Sequence, residues 1–358
     1  MGRSFSDAAD SSGPFSECNS DSSGEFSLPG SPLSGGSGSS RAAALHRLLI
    51  SCSADNSDEV ILGLISDLES PSASIDLQRS AAMELRLLAK HNQDNRLKIA
   101  RAGAFRPLVS LLSHSDPILQ ENGVTAILNL SLCDENKEMI AAAGAIKPLV
   151  RALKNGTPAT RENAACALLR LSQIDDHKIT IGLSGAIPPL VNLLQTGGPR
   201  AKKDASTALY SLCSTRENKI RAIHAGIVRP LLDLMADPDT GMVDKAAYVL
   251  FTLVSVPEGR TATVEEDGIP VLVEIVEVGT QRQKEIAAAT LLVICEENVF
   301  CRLIVAREGA IPPLVALSEA GSSRAKQKAM ALVELLRQPR AAAAGGGGGL
   351  VRASSGMQ

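Results

Sequence analysis

The sequence predicts an all-α chain of stacked helical repeats, and three observations carry that reading. A heptapeptide recurs along the chain as "GAFRPLV", "GAIKPLV", "GAIPPLV", "GIVRPLL" and again "GAIPPLV", with its glycines at Gly103, Gly144, Gly185, Gly226 and Gly309. Their spacing is 41, 41, 41 and 83, and the degenerate "DGIPVLVEIV" divides the last gap into 41 and 42. A period of about 41 residues marks a helical solenoid, whose units cannot bury their apolar faces alone. Composition agrees, because 44% of the chain is apolar but only 2% aromatic, with no Trp. A core of Leu, Ile, Val and Ala suits closely packed helices.

In chain order, residues 1–40 come first, dominated by Ser, Gly and acidic residues, with a charge balance of −4. They carry too little apolar surface to offset the entropy of ordering and are expected to be disordered. Within them Ser20, Ser22 and Ser23 stand beside Asp21 and Glu25, and Ser31 precedes Pro32, which makes these four the candidate phosphorylation sites. The opening "MGRSFS" fits the loose pattern for N-myristoylation, and an ordinary start of chain is the competing reading. Residues 41–57 contain the amphipathic "RAAALHRLLISC", expected to cap the repeats.

The repeat region is expected over 58–338. It begins with a partial unit, "EVILGLISDL" followed by "LQRSAAMELRLLAK", which lacks a first short helix. Six full units follow, and residues 136–172 illustrate them. The short helix "NKEMIAAA" stops at Gly144, which tolerates the positive φ that ends a helix. Pro148 then enters the first turn of "KPLVRAL", where its missing N–H costs little. After "KNGTP", with Thr157 as the candidate N-cap, a longer helix "ATRENAACALLRLS" aligns Ala164, Ala167, Leu168 and Leu171 on one face. In the degenerate unit Asp267 takes the glycine's place. The Ala/Gly-rich residues 339–358 are expected to be a second disordered tail.

Chemistry is harder to find. Outside the tail the net charge is +1, which gives no electrostatic reason to expect nucleic-acid binding. Two Tyr and six Phe are also too few for base stacking along repeats. Seven cysteines without a CxxC pair, and no apolar leader, point to a reduced intracellular protein, and no apolar run is long enough to span a membrane. The five histidines are scattered over different units, so neither a metal nor any other cofactor is expected. No GxxxxGK or GxSxG occurs, and no catalytic residues are assigned. The basic spot Arg200, Lys202, Lys203 is followed at once by Asp204 and reads as a solvated helix start.

The short-helix, GAIxPLV, long-helix pattern resembles the armadillo repeat family. Its stretches "LLAKHNQDNRLKIARAGA", "RENAACALLRLS", "AKKDASTALYSLC" and "EGAIPPLVALSEAGSSRAKQKAMALVELLR" are similar to the armadillo region of plant U-box ubiquitin ligases. The acidic "FSECNSDSSGEF" is similar to the linker before that region. The resemblance implies a right-handed superhelix, an alpha solenoid of six full repeats and an N-terminal partial one. Nothing in residues 1–57 looks like a U-box, so the ligase activity does not carry over.

What does carry over is a non-enzymatic scaffold or adaptor in signalling or ubiquitin-linked pathways. Its partners would be proteins, receptor-like kinases or ubiquitin-pathway components among them, and the chain is expected to be a monomer in the cytoplasm with access to the nucleus. A nuclear transport adaptor of the importin type and a non-catalytic modulator of a U-box ligase are the alternatives.

In that family the third helices line a concave groove, and an Asn near their ends clamps an extended ligand. The resemblance transfers this role to Asn129 alone; the same register holds Arg170, Ser211, Thr252 and Val293, with Leu87 in the first unit. Earlier on the same helix face lie Asn122, Asn163, Asp204 and Lys245, then Thr125, Cys166, Thr207 and Tyr248. These are the expected protein-binding residues, against the plainer reading of solvated helix surface. Tyr210, beside Ser211, is either a groove contact or a core residue.

Overall fold

A computed structural model describes residues 57–338. The two tails, the candidate serines Ser20, Ser22, Ser23 and Ser31, the myristoylation pattern and residues 41–56 of the expected cap lie outside the described residues. Among the described residues there are twenty α-helices, one short 3-10 turn and no strand.

The partial repeat consists of α1 (Ser57–Glu69) and α2 (Ile75–His91). Three helices per repeat then follow: α3 (Gln93–Arg101), α4 (Phe105–Leu111) and α5 (Pro117–Leu130); α6 (Asp134–Ala142), α7 (Ile146–Asn155) and α8 (Pro158–Leu171). The third repeat has α9 (Asp175–Leu183), α10 (Ile187–Thr196) and α11 (Pro199–Leu212), and the fourth α12 (Arg216–His224), α13 (Val228–Ala236) and α14 (Val243–Leu253). The last two are α15 (Pro257–Glu265), α16 (Gly268–Val278) and α17 (Gln281–Glu296), then α18 (Val299–Arg307), α19 (Ile311–Ala320) and α20 (Ser323–Arg337). These elements divide into two compact units, one ending at Glu266 and the other beginning at Asp267.

The local signals act as the sequence predicts. The five heptapeptide glycines all have φ between 75° and 85°, and Asp267 adopts the same left-handed region at φ 57°. Thr157 caps α8 by accepting from the Thr160 N–H, and Thr280 with Gln283 forms a reciprocal capping box on α17. The first short helix of the worked repeat begins two residues earlier than read from sequence, because Asp134 and Glu135 suit the positive helix start. In the fourth repeat a 3-10 turn, Pro238–Thr240, delays the third helix and shortens it to 11 residues.

In the first unit, α2, α5, α8, α11 and α14 pack each on the next, and each also packs on the second helix of its own repeat. The core between them is aliphatic: Ala164, Ala167, Leu168 and Leu171 are all at most 1% exposed. Gly123 stands where the later third helices carry Ala164, Ala205 and Ala246, because a Cβ there would lie 2.8 Å from the Leu111 Cβ. In the second unit, α17 packs on α20 in the same way.

Candidate functional site

The twelve residues assigned to the binding face all lie in the first unit, on α5, α8, α11 and α14. They form three files along adjacent third helices. Asn122, Asn163, Asp204 and Lys245 make the first file, Thr125, Cys166, Thr207 and Tyr248 the second, and Asn129, Arg170, Ser211 and Thr252 the third. Asn122, Thr125, Asn129, Asn163, Cys166 and Thr207 are buried, and the other six are half-buried.

The polar atoms of this row are stitched across repeats. Arg86 Nη1 donates to Asn122 Oδ1 at 2.9 Å, and Asn129 Nδ2 donates to the Arg86 carbonyl at 3.0 Å. One repeat on, Asn163 Nδ2 donates to Thr125 Oγ1 at 2.9 Å. Ser172 Oγ donates to Ser211 Oγ at 2.9 Å, and Ser211 Oγ to the Ser172 carbonyl at 3.1 Å. Thr125, Thr207 and Thr252 turn their hydroxyls back onto the carbonyls of Glu121, Lys203 and Tyr248. The Asn129 amide is therefore tied to its neighbour helix.

Charge is held close to this row. Burial lowers the Arg86 pKa, opposed by Glu121, whose carboxylate also accepts from Thr157 Oγ1 at 3.2 Å. Burial raises the Asp204 carboxyl, opposed by Arg200, Lys203 and Arg170. Arg200 Nε lies 3.8 Å from Asp204 Oδ2, so the basic spot read as a helix start is partly neutralised on its own helix. Burial, and then the phenol of Tyr248 on the adjacent third helix, raises the Tyr210 pKa. With 36% exposure Tyr210 reaches the surface.

At the start of the row Asp116 caps α5 and receives two bonds from the Arg79 guanidinium, its Nε 3.2 Å from Oδ1. The Arg79 hydrogen bonds, then the Leu119 N–H, hold the Asp116 carboxyl at about 2, below its ordinary 3.8. A depressed folded pKa stabilises the fold above the unfolded pKa and loses that contribution as pH falls through the folded one. Asp116 is thus expected to titrate near pH 2 by carboxyl-carbon NMR. In Arg79→Gln its midpoint should move up toward 3.8, and the stability it adds above the unfolded pKa should shrink, leaving the fold less dependent on pH in the acid range.

A second ladder escaped the sequence reading. Asn95, Asn136, His177 and Asn218 recur every 41 residues in the first short helices. Asn136 Nδ2 bonds the Leu130 carbonyl at 3.0 Å, and Asn218 Nδ2 bonds those of Leu212 at 3.0 Å and Lys178 at 2.9 Å. His177 Nδ1 lies 3.2 Å from the Leu171 carbonyl, and Asn95 reaches that of Leu88. The fifth position is Gly259, and the sixth, in the second unit, is Cys301. The 41-residue spacing itself is the signal that would have found them. The ladder clasps each short helix to the end of the preceding third helix.

Among the described residues no cluster of His, Cys, Asp and Glu could hold a metal ion, and no helix is long and apolar enough to cross a membrane. Cys133, Cys166, Cys213, Cys295 and Cys301 are buried and in no disulfide among the described residues. Burial pushes the Cys213 and Cys295 thiols up to about 12, away from the thiolate a nucleophile needs.

The family model described as the plant U-box protein ARM repeat region matches residues 61–341. U-box domain-containing protein 13 of Arabidopsis thaliana is 63% identical over 59 residues, 16% of this chain and 9% of that protein. E3 ubiquitin-protein ligase SPL11 of Oryza sativa is 57% identical over 72 residues, 20% of this chain and 10% of that protein. The matched stretches are thus about a tenth of these relatives' length. Among solved structures, an engineered protein from the Northeast Structural Genomics Consortium superimposes with a TM-score of 0.68 at 25% identity, covering 78% of this chain and 68% of its own.

Proposed function

The chain belongs to the family of the plant U-box protein ARM repeat region, and from that premise we propose that it is a non-enzymatic adaptor that binds partner proteins on the row of third helices in its first unit. The observation that carries this reading is the row itself. Five third helices stack in unbroken succession and align half-buried Arg170, Asp204, Ser211, Lys245, Tyr248 and Thr252 with the buried Asn122, Asn129 and Asn163, and bonds between repeats fix Ser211 and the three amides. A surface organised in this way meets a partner without first ordering its own side chains, which lowers the entropic cost of association. Solenoid repeats offer such extended surfaces generally.

The relatives' names point to ubiquitin ligation, so partners from ubiquitin-linked signalling, receptor-like kinases included, are the ones to seek first. We place the protein in the cytoplasm with access to the nucleus, acting as a monomer. The candidate serines of the N-terminal tail would regulate this binding by adding negative charge.

The test is proximity labelling in the native cell with charge reversals that spare the buried amides. Arg170→Glu with Lys245→Glu is expected to weaken capture of the specific partners by about tenfold or more. Lys154→Glu, exposed on α7 away from the row, should leave capture unchanged. Equal partner lists for all three proteins would overturn the third-helix reading. Retention of a Lys-rich localisation peptide would move it to a transport adaptor.

A further inference from the structure

Among the described residues the first unit begins with α1 and α2, and no helical layer precedes them. Leu77 is the third residue of α2, fixed in register by its N–H bond to the N-cap Ser74. Leu119 and Thr160 occupy the same position in α5 and α8, bonded in the same way to Asp116 and Thr157, and Ala201 follows in α11. Leu119, Thr160 and Ala201 are all 0% exposed because the preceding repeat covers them, whereas Leu77 is 43% exposed.

Leu88 tells the same story at the other end of α2. Its carbonyl takes the Asn95 clasp as those of Leu130 and Leu212 take Asn136 and Asn218, yet it is half-buried where Leu130 and Leu212 are at most 1% exposed. On α1 beside it, Leu62 is 55% exposed and opens onto a hollow of about 560 Å3 lined also by Ile65, Ser66, Glu69, Ser70 and Ala102.

We propose that this end is covered by residues 41–52 of the same chain, "RAAALHRLLISC", docked as a helix with its leucines on Leu62, Leu77 and Leu88. Leu45, Leu48 and Leu49 fall at helical spacing, with Cys52 one turn further, so such a helix presents a single apolar stripe. Only four residues separate Cys52 from the start of α1 at Ser57, a tether of at most about 17 Å that delivers the stripe to this end and to no distant surface. Arg41 and Arg47 give the segment positive charge beside Glu69 of the hollow and Glu84 of α2. The terminal unit of a solenoid needs a cap with a polar outer face, and this stripe supplies one from within the chain.

Hydrogen exchange of the full chain tests the assignment, read at the amides of residues 44–52. They are expected to exchange about tenfold or more slowly than those of residues 1–40. Leu77→Glu should abolish that protection, as should Leu48→Glu with Leu49→Glu. Leu62→Glu serves as the second variant should Leu77→Glu fail to fold, since its side chain is the more exposed of the two.

Unprotected 44–52 amides would overturn the proposal. So would protection indifferent to Leu77→Glu and Leu62→Glu, which would place the segment elsewhere. A concentration-dependent dimer dissolved by Leu77→Glu in light scattering, with 44–52 unprotected, would assign the face to a second copy instead.

Discussion

Gly259→Ala is expected to destabilise the protein by about 3 kcal/mol, read as a lower denaturant midpoint of the first unit. A Cβ at this position would lie 2.1 Å from the Leu253 carbonyl oxygen and 2.6 Å from its carbon. Both are backbone atoms at the end of α14, so no rotamer change relieves the overlap. Here α15 rests its own backbone where the earlier repeats place an amide or imidazole. The variant Gly259→Asn, which would make the ladder uniform with Asn136 and Asn218, should therefore destabilise as well. Gly63→Ala is the control: nothing lies within 4 Å of that Cβ in α1, and the exchange should stabilise by about 0.5–1 kcal/mol.

Asn218 and Gly182 are expected to behave as one unit. Asn218→Ala removes the donor to the Leu212 and Lys178 carbonyls from a site 0% exposed, at an expected cost of about 1–3 kcal/mol. Gly182→Ala places a Cβ 1.9 Å from Asn218 Oδ1 and should cost a similar amount by pushing the amide off its acceptors. In the double variant the added methyl occupies space the amide has vacated. The combined loss should then fall short of the sum of the two singles by about 1 kcal/mol or more in a double-mutant cycle. Strict additivity would show that the amide and the glycine do not hold each other in place.

The fold was readable because its punctuation is chemical. A glycine at positive φ and a proline in the next helical turn have few other uses, and five registered occurrences set the repeat length. Even the degenerate repeat was legible, since Asp267 keeps the backbone shape of the glycine it replaces. The alignment of the candidate row was legible for the same reason: once the register is known, one face of each third helix follows from helical spacing.

The state of those side chains was not legible. That Asn129 donates to the Arg86 carbonyl and Asn163 to Thr125 depends on how one helix sits against the next, which no single helix encodes. The clasp asparagines were passed over for a related reason. In "DENKEMIAA" the polar Asn136 reads as part of a solvated helix start, and only the approach of the Leu130 carbonyl makes it a core residue. Buried amides facing backbone carbonyls look in sequence like surface.

The side-chain bonds between neighbouring repeats described above join residues 36 to 43 positions apart, from Arg86 with Asn122 to Asn129 with Arg86. Each reaches one repeat along the chain and stops there. A chain wired only to its nearest neighbours closes small loops at every step of its assembly, so each repeat docks on the one before without waiting for distant segments. Folding of the first unit then spreads outward from whichever pair of repeats forms first, and unfolding begins as fraying at an end.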